Sequence, residues 1–152
     1  MNLSTQDTRA LLATAAVARL ATVSESGQPH LVPVTFAVDG DHLYIAVDHK
    51  PKTTTRLKRL RNIGHNPRVT LLADHYEEDW SQLWWARVDG LAHVLEPGDR
   101  EGPLDLLARK YPQYTEQRPD GPVICIRATR WTGWAGSAQA ATLPRATGDT
   151  GQ

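Results

Sequence analysis

The sequence predicts a mainly β (α+β) domain: a closed or partly closed barrel of six short, mostly antiparallel strands with short flanking helices. Two observations lead to this fold class. Short strand-like runs are separated by turn residues, such as residues 24–27 and Asp39-Gly40. Regular alternation of strands and helices is missing, and no run is followed by the G-x-G-x-x-G pattern of a dinucleotide-binding fold.

The first elements follow from local signals. Ser4 followed three residues later by Asp7 is typical of a helix N-terminus, and Leu11 and Leu12 begin an apolar helix face. Within the second strand, Pro33 lacks an N–H group, which predicts an edge, a bulge or a place where a ligand takes over the pairing. The predicted strands cover residues 18–23, 29–38, 42–47, 68–73, 83–95 and 123–131, and the fifth is expected to be bulged at Asp89-Gly90.

Two more helices are predicted, one after the third strand and one over residues 97–110. At 152 residues the chain suits one domain, expected to cover residues 1–135. Residues 136–152 are small and polar, which predicts a disordered tail. The single Cys125 lies in an apolar run, so no internal disulfide forms and a cytoplasmic location is expected. No apolar run approaches the roughly 20 residues that span a bilayer, and no membrane partner is expected.

The basic segment, residues 48–72, is the feature around which the rest is arranged. It carries seven of the 17 Lys and Arg residues, and no acid occurs from His49 to Ala73. A helix that begins beside Lys50 and Lys52, with Thr53 or Thr54 as its cap, offers backbone N–H groups, hydroxyls and two ammonium groups to one anion. The pattern is therefore typical of a phosphate site.

Two other readings of this segment remain open. Basic residues often line the solvated face of a helix, although such faces usually mix both signs of charge. Clustered Lys and Arg also suit nucleic acid, but a formal net charge of zero argues against long-range attraction of a polyanion, so no nucleic-acid partner is expected.

Metal and nucleophile chemistry find little support in the sequence. The six histidines show no i, i+4 pairing and no cysteine at ligand spacing, so no metal site is predicted. No serine lies in a G-x-S-x-G turn, and Cys125 is placed for burial. His49, next to the proposed anion site, either donates to a bound ring or pairs with Asp48.

The aromatic residues are more informative. Tyr76, Trp80, Trp84 and Trp85 fall within ten residues. Neighbours in a strand point to opposite faces, so Trp84 and Trp85 cannot both enter one core. An outward tryptophan is expected to be covered by a ligand or by a second subunit, and Trp134 raises the same expectation.

The chain resembles the pyridoxamine-phosphate-oxidase-like, FMN-binding split β-barrel proteins, and within them the actinobacterial oxidoreductases that use the deazaflavin coenzyme F420. The resemblance covers residues 18–134. It rests on these runs: RLATVSESGQPHLVPVTF (residues 19–36), DHKPKTTTRLKRLRNIGHNPRVTLL (48–72), DHYEEDWSQLWWARVDG (74–90), KYPQY (110–114) and RWTGWAG (130–136).

The resemblance implies a six-stranded split barrel, a homodimer and two equivalent cofactor sites between the subunits. The implied cofactor-binding residues are Val32, Pro33, Val34, Thr35, His49, Lys50, Lys52, Thr53, Thr54, Arg56, Lys58, Arg59, Trp84, Trp85 and Trp134. The first four would contact the ring, the basic residues and threonines the phosphate and acidic tail, and the tryptophans would complete the pocket. His49, His75 and Tyr76 are candidate proton donors, and solvent is the alternative.

The resemblance also suggests the activity, a hydride transfer between F420 and a conjugated small molecule. FMN is the alternative cofactor, in a flavin reductase or oxidase. The second strand carries no basic side chain, unlike that of the FMN oxidases, and the long basic run suits a cofactor with an acidic tail. No Arg-x-His follows Trp131, which argues against oxidation of pyridoxine phosphate. A non-enzymatic binder of a cofactor or tetrapyrrole is the remaining alternative.

Overall fold

The structure is a computed structural model that describes residues 1–47 and 54–142, with the backbone alone for residues 54–57. The helices are α1 (Thr5–Thr14), α2 (Thr54–His65), α3 (Glu101–Lys110) and α4 (Pro112–Glu116). The strands are β1 (Ala18–Val23), β2 (Pro29–Val34), β3 (Ala37–Asp39), β4 (His42–Ala46), β5 (Arg68–His75), β6 (Trp84–Val94) and β7 (Val123–Ala135). Two short 3-10 helices, Trp80–Gln82 and Pro97–Asp99, precede β6 and α3.

The seven strands form one antiparallel sheet in the order β2-β1-β5-β6-β7-β4-β3. The prediction of an antiparallel barrel is confirmed, but the described part of the chain contains seven strands and not six. The difference arises in residues 29–38, which divide into β2 and β3 at Thr35 and Phe36. Phe36 is buried in the main apolar cluster and Ala37 in a second one, so neighbouring side chains here face opposite sides of the sheet and both are covered.

The two edge strands of this sheet, β2 and β3, follow one another in the chain. Only Thr35 and Phe36 separate them, and a link of this length spans at most about 11 Å between Val34 and Ala37. A flat seven-stranded sheet would separate its edges by roughly 29 Å. The sheet must therefore curl until its edges meet, which produces the barrel.

The main core fills the inside of the curl. Leu20, Leu43, Leu71, Val88 and Ile126 are fully buried there, each on the inward side of its strand. Leu11 and Leu12 of α1 and Ile63 of α2 add to the same cluster. Ser4 caps α1 by accepting a hydrogen bond from the Asp7 amide, as its sequence predicts.

A second apolar cluster lies on the outer side of β3, β4 and β7. Leu104 and Leu107 of α3 pack there against Ala46 and Val123, so both sides of this part of the sheet are covered. Cys125 is 4% exposed, which confirms its predicted burial. The outer side of β1, β2, β5 and β6 is not part of this cluster and is left more open.

The predicted bulge at Asp89-Gly90 is confirmed by a shift in the pairing of β6 with β7 at that point. A side chain at Gly90 would meet the Arg127 carbonyl oxygen at 2.6 Å, because the two backbones approach closely. Within the described ranges, no helix combines the length and the hydropathy that a membrane crossing requires.

Residues 136–142 lie against the body of the domain. The Gly136 amide donates to the Leu83 carbonyl oxygen at 2.8 Å, and the Ser137 hydroxyl donates to the Ser81 carbonyl oxygen at 2.7 Å. Residues 143–152 lie outside the described residues. The predicted domain limit at residue 135 and the disordered tail stay predictions.

Candidate functional site

The described part of the basic segment is the helix α2. Leu60 and Ile63 turn into the core, and the Asn62 amide donates a buried 3.0 Å hydrogen bond to the Thr22 hydroxyl of β1. These contacts fix the rotation of the helix, so that Lys58 and Arg61 face solvent. The basic side of α2 is therefore held next to the β1–β2 end of the sheet.

His30 of β2 reports on this arrangement. Burial lowers its pKa below the ordinary value, and the positive charges of Lys58 and Arg59 lower it further. Its Nδ1 atom is shielded from solvent and has no hydrogen-bond partner among the described residues. The positive charges of α2 therefore act on a side chain of the edge strand β2.

An open groove of about 680 Å³ lies between α2 and the β1–β2 turn. It combines cationic side chains with the hydroxyls of the turn, and His65 Nε2 lies 3.7 Å from a carboxylate oxygen of Glu25. The lining residues are Ser24, Glu25, Ser26, Lys58, Arg61, Asn62 and His65. This groove can accept an extended anion.

The tryptophans of β6 separate as the sequence predicts. Trp84 packs against the main core, whereas Trp85 points outward, opposite Asp74 of β5 on one side and Trp134 of β7 on the other. Trp131 also packs against the core. Trp85 and Trp134 therefore place two indole rings side by side on the outside of the sheet.

The next row of outward residues crosses the sheet two positions from Trp85, at Arg87. Pro33, Arg19, Leu72, Arg87 and Thr132 are successive partners along this row. We call the outward surface formed by Leu31, Leu72, Trp85, Arg87 and Trp134 the open face. Leu31 is 66% exposed and Leu72 is 36% exposed, which is unusual for large apolar side chains on one sheet surface.

A groove of about 400 Å³ lies at the aromatic end of the open face. Arg87 stacks on the Trp85 ring, with 5.2 Å from the guanidinium carbon to the ring centroid. The groove is lined by Leu72, Asp74, His75, Tyr76, Leu83, Trp84, Trp85, Arg87 and Trp134. A second groove of about 800 Å³ shares Asp74, His75 and Trp84 with it.

Two of the three candidate proton donors, His75 and Tyr76, line the aromatic groove. His75 Nε2 lies 2.7 Å from a carboxylate oxygen of Glu77, which orients the imidazole ring. Tyr76 is 71% exposed. The third candidate, His49, lies outside the described residues.

The Thr35–Phe36 link is held by Tyr111, which lies between α3 and α4, and by Tyr114 of α4. The hydroxyls of Thr35 and Tyr114 lie 2.6 Å apart, and the Phe36 amide donates to the Tyr111 hydroxyl at 3.0 Å. Burial raises the pKa of Tyr111. The Lys110 ammonium lies 3.8 Å from the centroid of the Phe36 ring, and burial lowers its pKa to about 8.

The residues predicted on the second strand fall on different sides of it. Pro33 points outward, whereas Val32 and Val34 point inward and Val34 is 5% exposed. The Thr35 hydroxyl already bonds Tyr114. A ligand on this strand would therefore contact Pro33 and the free backbone edge of β2 rather than the valine side chains.

Other predicted site residues cannot be compared in the same way. Lys50, Lys52 and Thr53, with His49, lie outside the described residues, and so do the side chains of Thr54 and Arg56. The charges of Lys58 and Arg59 help to lower the pKa of His30. The predicted cofactor contacts as a set stay a prediction.

The described residues of one chain do not bring Pro33 and the tryptophans into one closed pocket. Pro33 and Arg87 are three strand spacings apart in their row, or about 14 Å. Both lie on the open face, so a second molecule packed there could approach both. Among residues 1–47 and 54–142, no cluster of three or more His, Cys, Asp or Glu side chains is arranged to bind a metal ion.

Sequence reasoning missed His30 and Arg87. His30 lies on the same side of β2 as Val32 and Val34, two of the predicted ring contacts. Its place near α2 depends on contacts that are distant in sequence. Arg87 stands two residues after Trp85, and this i, i+2 spacing within a strand was the available signal.

Comparisons with known proteins agree with this fold. A FAD-binding protein from Mesorhizobium loti is 22% identical, with a TM-score of 0.66, and the match covers 88% of this chain and 95% of the other. A conserved hypothetical protein from Mycobacterium tuberculosis is 19% identical, with a TM-score of 0.72 and coverage of 98% and 95%. Both likenesses concern the fold.

A curated relative is more similar in sequence over part of the chain. The 5a,11a-dehydrotetracycline/5a,11a-dehydrooxytetracycline reductase of Streptomyces rimosus is 33% identical over 84 residues. The match covers 55% of this chain and 58% of the relative. A family model described as pyridoxamine 5'-phosphate oxidase matches residues 4–135. The curled sheet, its open face and this match over most of the sequence lead to one conclusion: the chain belongs to the pyridoxamine 5'-phosphate oxidase family of oxidoreductases.

Proposed function

We propose that this protein is an F420-dependent reductase that works as a homodimer and reduces a conjugated small molecule. The observation that carries the proposal is the groove in which Lys58 and Arg61 of α2 face the β1–β2 turn, next to the edge strand β2. A ring cofactor with a long anionic arm needs a free strand edge next to an extended positive surface. FMN, with one compact phosphate, would use only part of that surface.

The described residues fit such a cofactor in two ways. The outward Pro33 and the free edge of β2 offer a flat surface without a competing side chain. Lys58 and Arg61 add positive charge along the solvent side of α2. The homologous reductase from Streptomyces rimosus supports a reductive role, although the match covers only 58% of that relative.

A homodimer would use the open face. This surface is apolar because it carries Leu31, Leu72, Trp85 and Trp134. Burying such area in a dimer contributes a favourable free energy of roughly 25 cal/mol for each Å². In a dimer, the tryptophan groove of one subunit would face β2 of the other. This arrangement would join two half-sites that one chain keeps about 14 Å apart.

When bound, a reduced deazaflavin would supply the hydride. The protein's own residues orient the cofactor through its anionic arm, exclude water with Trp85 and Trp134, and place the substrate against the ring. His75, oriented by Glu77, is the described side chain best placed to deliver a proton to the product. Solvent is the alternative proton source.

The proposal is tested by titrating the purified protein with F420 and with FMN and following the difference spectra. We expect one F420 per subunit to bind, and Lys58→Ala to weaken F420 more than FMN. Arg109→Ala, which removes a charge from the exposed side of α3, is the matched control and should leave both affinities unchanged. Tighter binding of FMN than of F420 would replace this proposal with a flavin-dependent one.

Two further measurements test whether the protein is an enzyme or a cofactor carrier, and whether it is a dimer or a monomer. Assays with reduced F420 and a panel of enones and quinones should show turnover, whereas tight binding without turnover would indicate a cofactor-binding protein. Light scattering should give twice the chain mass of 16.8 kDa. A monomer at micromolar concentration would remove the shared site.

A further inference from the structure

Arg87 is a half-buried cation to which the described residues offer no polar partner. Among the described residues it makes no hydrogen bond and no ion pair, and its Nε atom is shielded from solvent. The guanidinium group of Arg87 stacks on the ring of Trp85. A shielded guanidinium group without an acceptor loses hydration without compensation, which marks it as a group awaiting a ligand.

The neighbour of Arg87 on β7 has the same character. Thr132 is its cross-strand partner on the open face, and the Thr132 hydroxyl is also shielded and without a partner among the described residues. The carboxylate that lines the groove, Asp74, lies 3.6 Å from Arg19, and no ion pair joins it to Arg87 among the described residues. Two adjacent polar groups thus remain unsatisfied at one place.

The surroundings of this polar pair are flat and apolar. Trp85 and Trp134 lie side by side, and Leu72 faces Arg87 from β5. The groove of about 400 Å³ lies within the range of about 300–1,000 Å³ typical of small-molecule sites. Indole faces favour planar, conjugated molecules, and the Arg guanidinium favours a carboxylate or enolate, which accepts two parallel hydrogen bonds.

We infer that the aromatic groove binds a planar, conjugated substrate that carries a carboxylate or enolate group, with its rings against Trp85 and Trp134 and its acidic group held by Arg87. Arg87 acts here as a specificity-determining residue, with Thr132 as a second polar contact beside it. This inference rests on the proposed function, because it names the substrate class of the same site.

The acidic group also fixes the direction in which the substrate lies. Arg87 stands at the side of the groove that leads toward Leu72 and Arg19, along the row that ends at Pro33. A substrate anchored at Arg87 therefore extends its rings over Trp85, and one edge faces the space that a second subunit would fill. Neutral planar molecules would stack in the groove without a preferred orientation.

The test uses two probes of the same shape that differ in charge, anthraquinone-2-carboxylate and anthraquinone-2-carboxamide. Their dissociation constants are measured by calorimetry and by quenching of tryptophan fluorescence, with and without F420. The carboxylate should bind the unmodified protein about tenfold more tightly than the carboxamide. In Arg87→Gln this preference should disappear, and Arg87→Lys should restore part of it.

Two controls isolate the role of Arg87. Arg109→Gln removes the same charge from α3 and should keep the tenfold preference. Trp85→Ala should weaken both probes by a similar factor, because it removes the stacking surface and leaves the guanidinium group. The melting temperature and far-ultraviolet circular dichroism of each variant show whether it folds, and Arg87→Lys provides a second reading if Arg87→Gln does not.

The outcomes separate this inference from the proposed function. An unchanged preference in Arg87→Gln, or no binding of either probe because a second copy covers the groove, would overturn the inference. If Arg87→Gln loses as much affinity for F420 as for the carboxylate probe, the inference is also overturned, because Arg87 would then bind the cofactor. If the protein binds neither F420 nor FMN but keeps the charge preference, the proposed function fails and the acid-binding groove stands.

Discussion

The Tyr111 hydroxyl lies 3.0 Å from the amide nitrogen of Phe36 and 3.1 Å from the carbonyl oxygen of the same residue. It also lies 2.8 Å from the Ala16 carbonyl oxygen. One side chain from the α3–α4 segment thereby holds the link at which the two edges of the sheet meet. The KYPQY run, which carried part of the family resemblance, has a structural role in closing the barrel.

Removing this hydroxyl should destabilise the protein. In Tyr111→Phe the Phe36 amide loses its acceptor while the ring packing remains, and an unsatisfied buried donor costs about 1–3 kcal/mol. Urea unfolding followed by circular dichroism measures the change. Tyr76→Phe removes a hydroxyl from a side chain that is 71% exposed and should change stability by less than about 0.5 kcal/mol. Equal effects of the two substitutions would contradict the role of Tyr111.

Lys110 should make stability depend on pH. Burial lowers its pKa in the folded protein to about 8, below the 10.5 of a solvated lysine. Between these values the unfolded chain binds the proton more strongly than the folded chain does, so this group makes stability rise with pH. Below about pH 8 the penalty for burying the charge is fully present.

The substitution Lys110→Met removes this titration. We expect the variant to be more stable than the parent protein at pH 7, with the difference shrinking between pH 8 and pH 10. Thermal unfolding at four pH values in this range measures the difference. Comparing the two proteins cancels the titration of Tyr111 and Cys125, whose pKa values burial raises. A difference that stays constant with pH would show that Lys110 titrates normally.

Gly90 should not tolerate a side chain. An added Cβ would lie 2.6 Å from both the Arg127 carbonyl oxygen and the Ile126 Cγ2 atom, in the bulge of β6. Overpacking of this kind costs typically about 1–3 kcal/mol, so Gly90→Ala should lower the urea midpoint clearly. Gly64→Ala in α2 meets nothing within 4 Å and should be neutral or stabilise by up to about 1 kcal/mol. A neutral Gly90→Ala would mean that β6 and β7 separate easily at the bulge.

His30 should report the arrival of an anion. Burial is the main cause that lowers its pKa, and the charges of Lys58 and Arg59 add to it. A phosphate bound beside these residues would offset their charges and raise the His30 pKa. Nuclear magnetic resonance titration of the imidazole C–H signals, with and without F420, measures the shift. Lys58→Ala should also raise the pKa, and a pKa that F420 leaves unchanged would place the anion elsewhere.

Much of the fold is predictable because strand alternation is a local property. The residue pair Trp84 and Trp85 shows this directly, since adjacent strand positions face opposite sides in any sheet. The first strand agrees with β1 at both ends, and Pro33 does lie on an edge strand. Resemblance to the family then supplied the way in which the strands curl.

The parts that sequence could not predict depend on distant contacts. The break at Thr35 and Phe36 follows from hydrogen bonds to Tyr111 and Tyr114, about 80 residues away, and no local turn signal marks it. The partnership of Arg87 with Thr132 depends on the pairing of β6 with β7 beyond a bulge. α4 lies between the predicted helix of residues 97–110 and the predicted strand of residues 123–131, where Pro112 begins a short helix that the sequence did not predict.

The link between β2 and β3 has only two residues, so its length cannot change without disturbing the closure of the barrel. One inserted glycine between Thr35 and Phe36 would separate the Tyr111 and Tyr114 hydroxyls from the partners that they grip, whereas the Asp39–His42 turn can lengthen without disturbing either tyrosine. Insertions and deletions among related proteins should therefore occur in the hairpin turns and not in the Thr35–Phe36 link. The Thr35–Phe36 link thus fixes where the two edges of the curled sheet meet. The position of any ligand bound near β2 depends on how accurately this link is held.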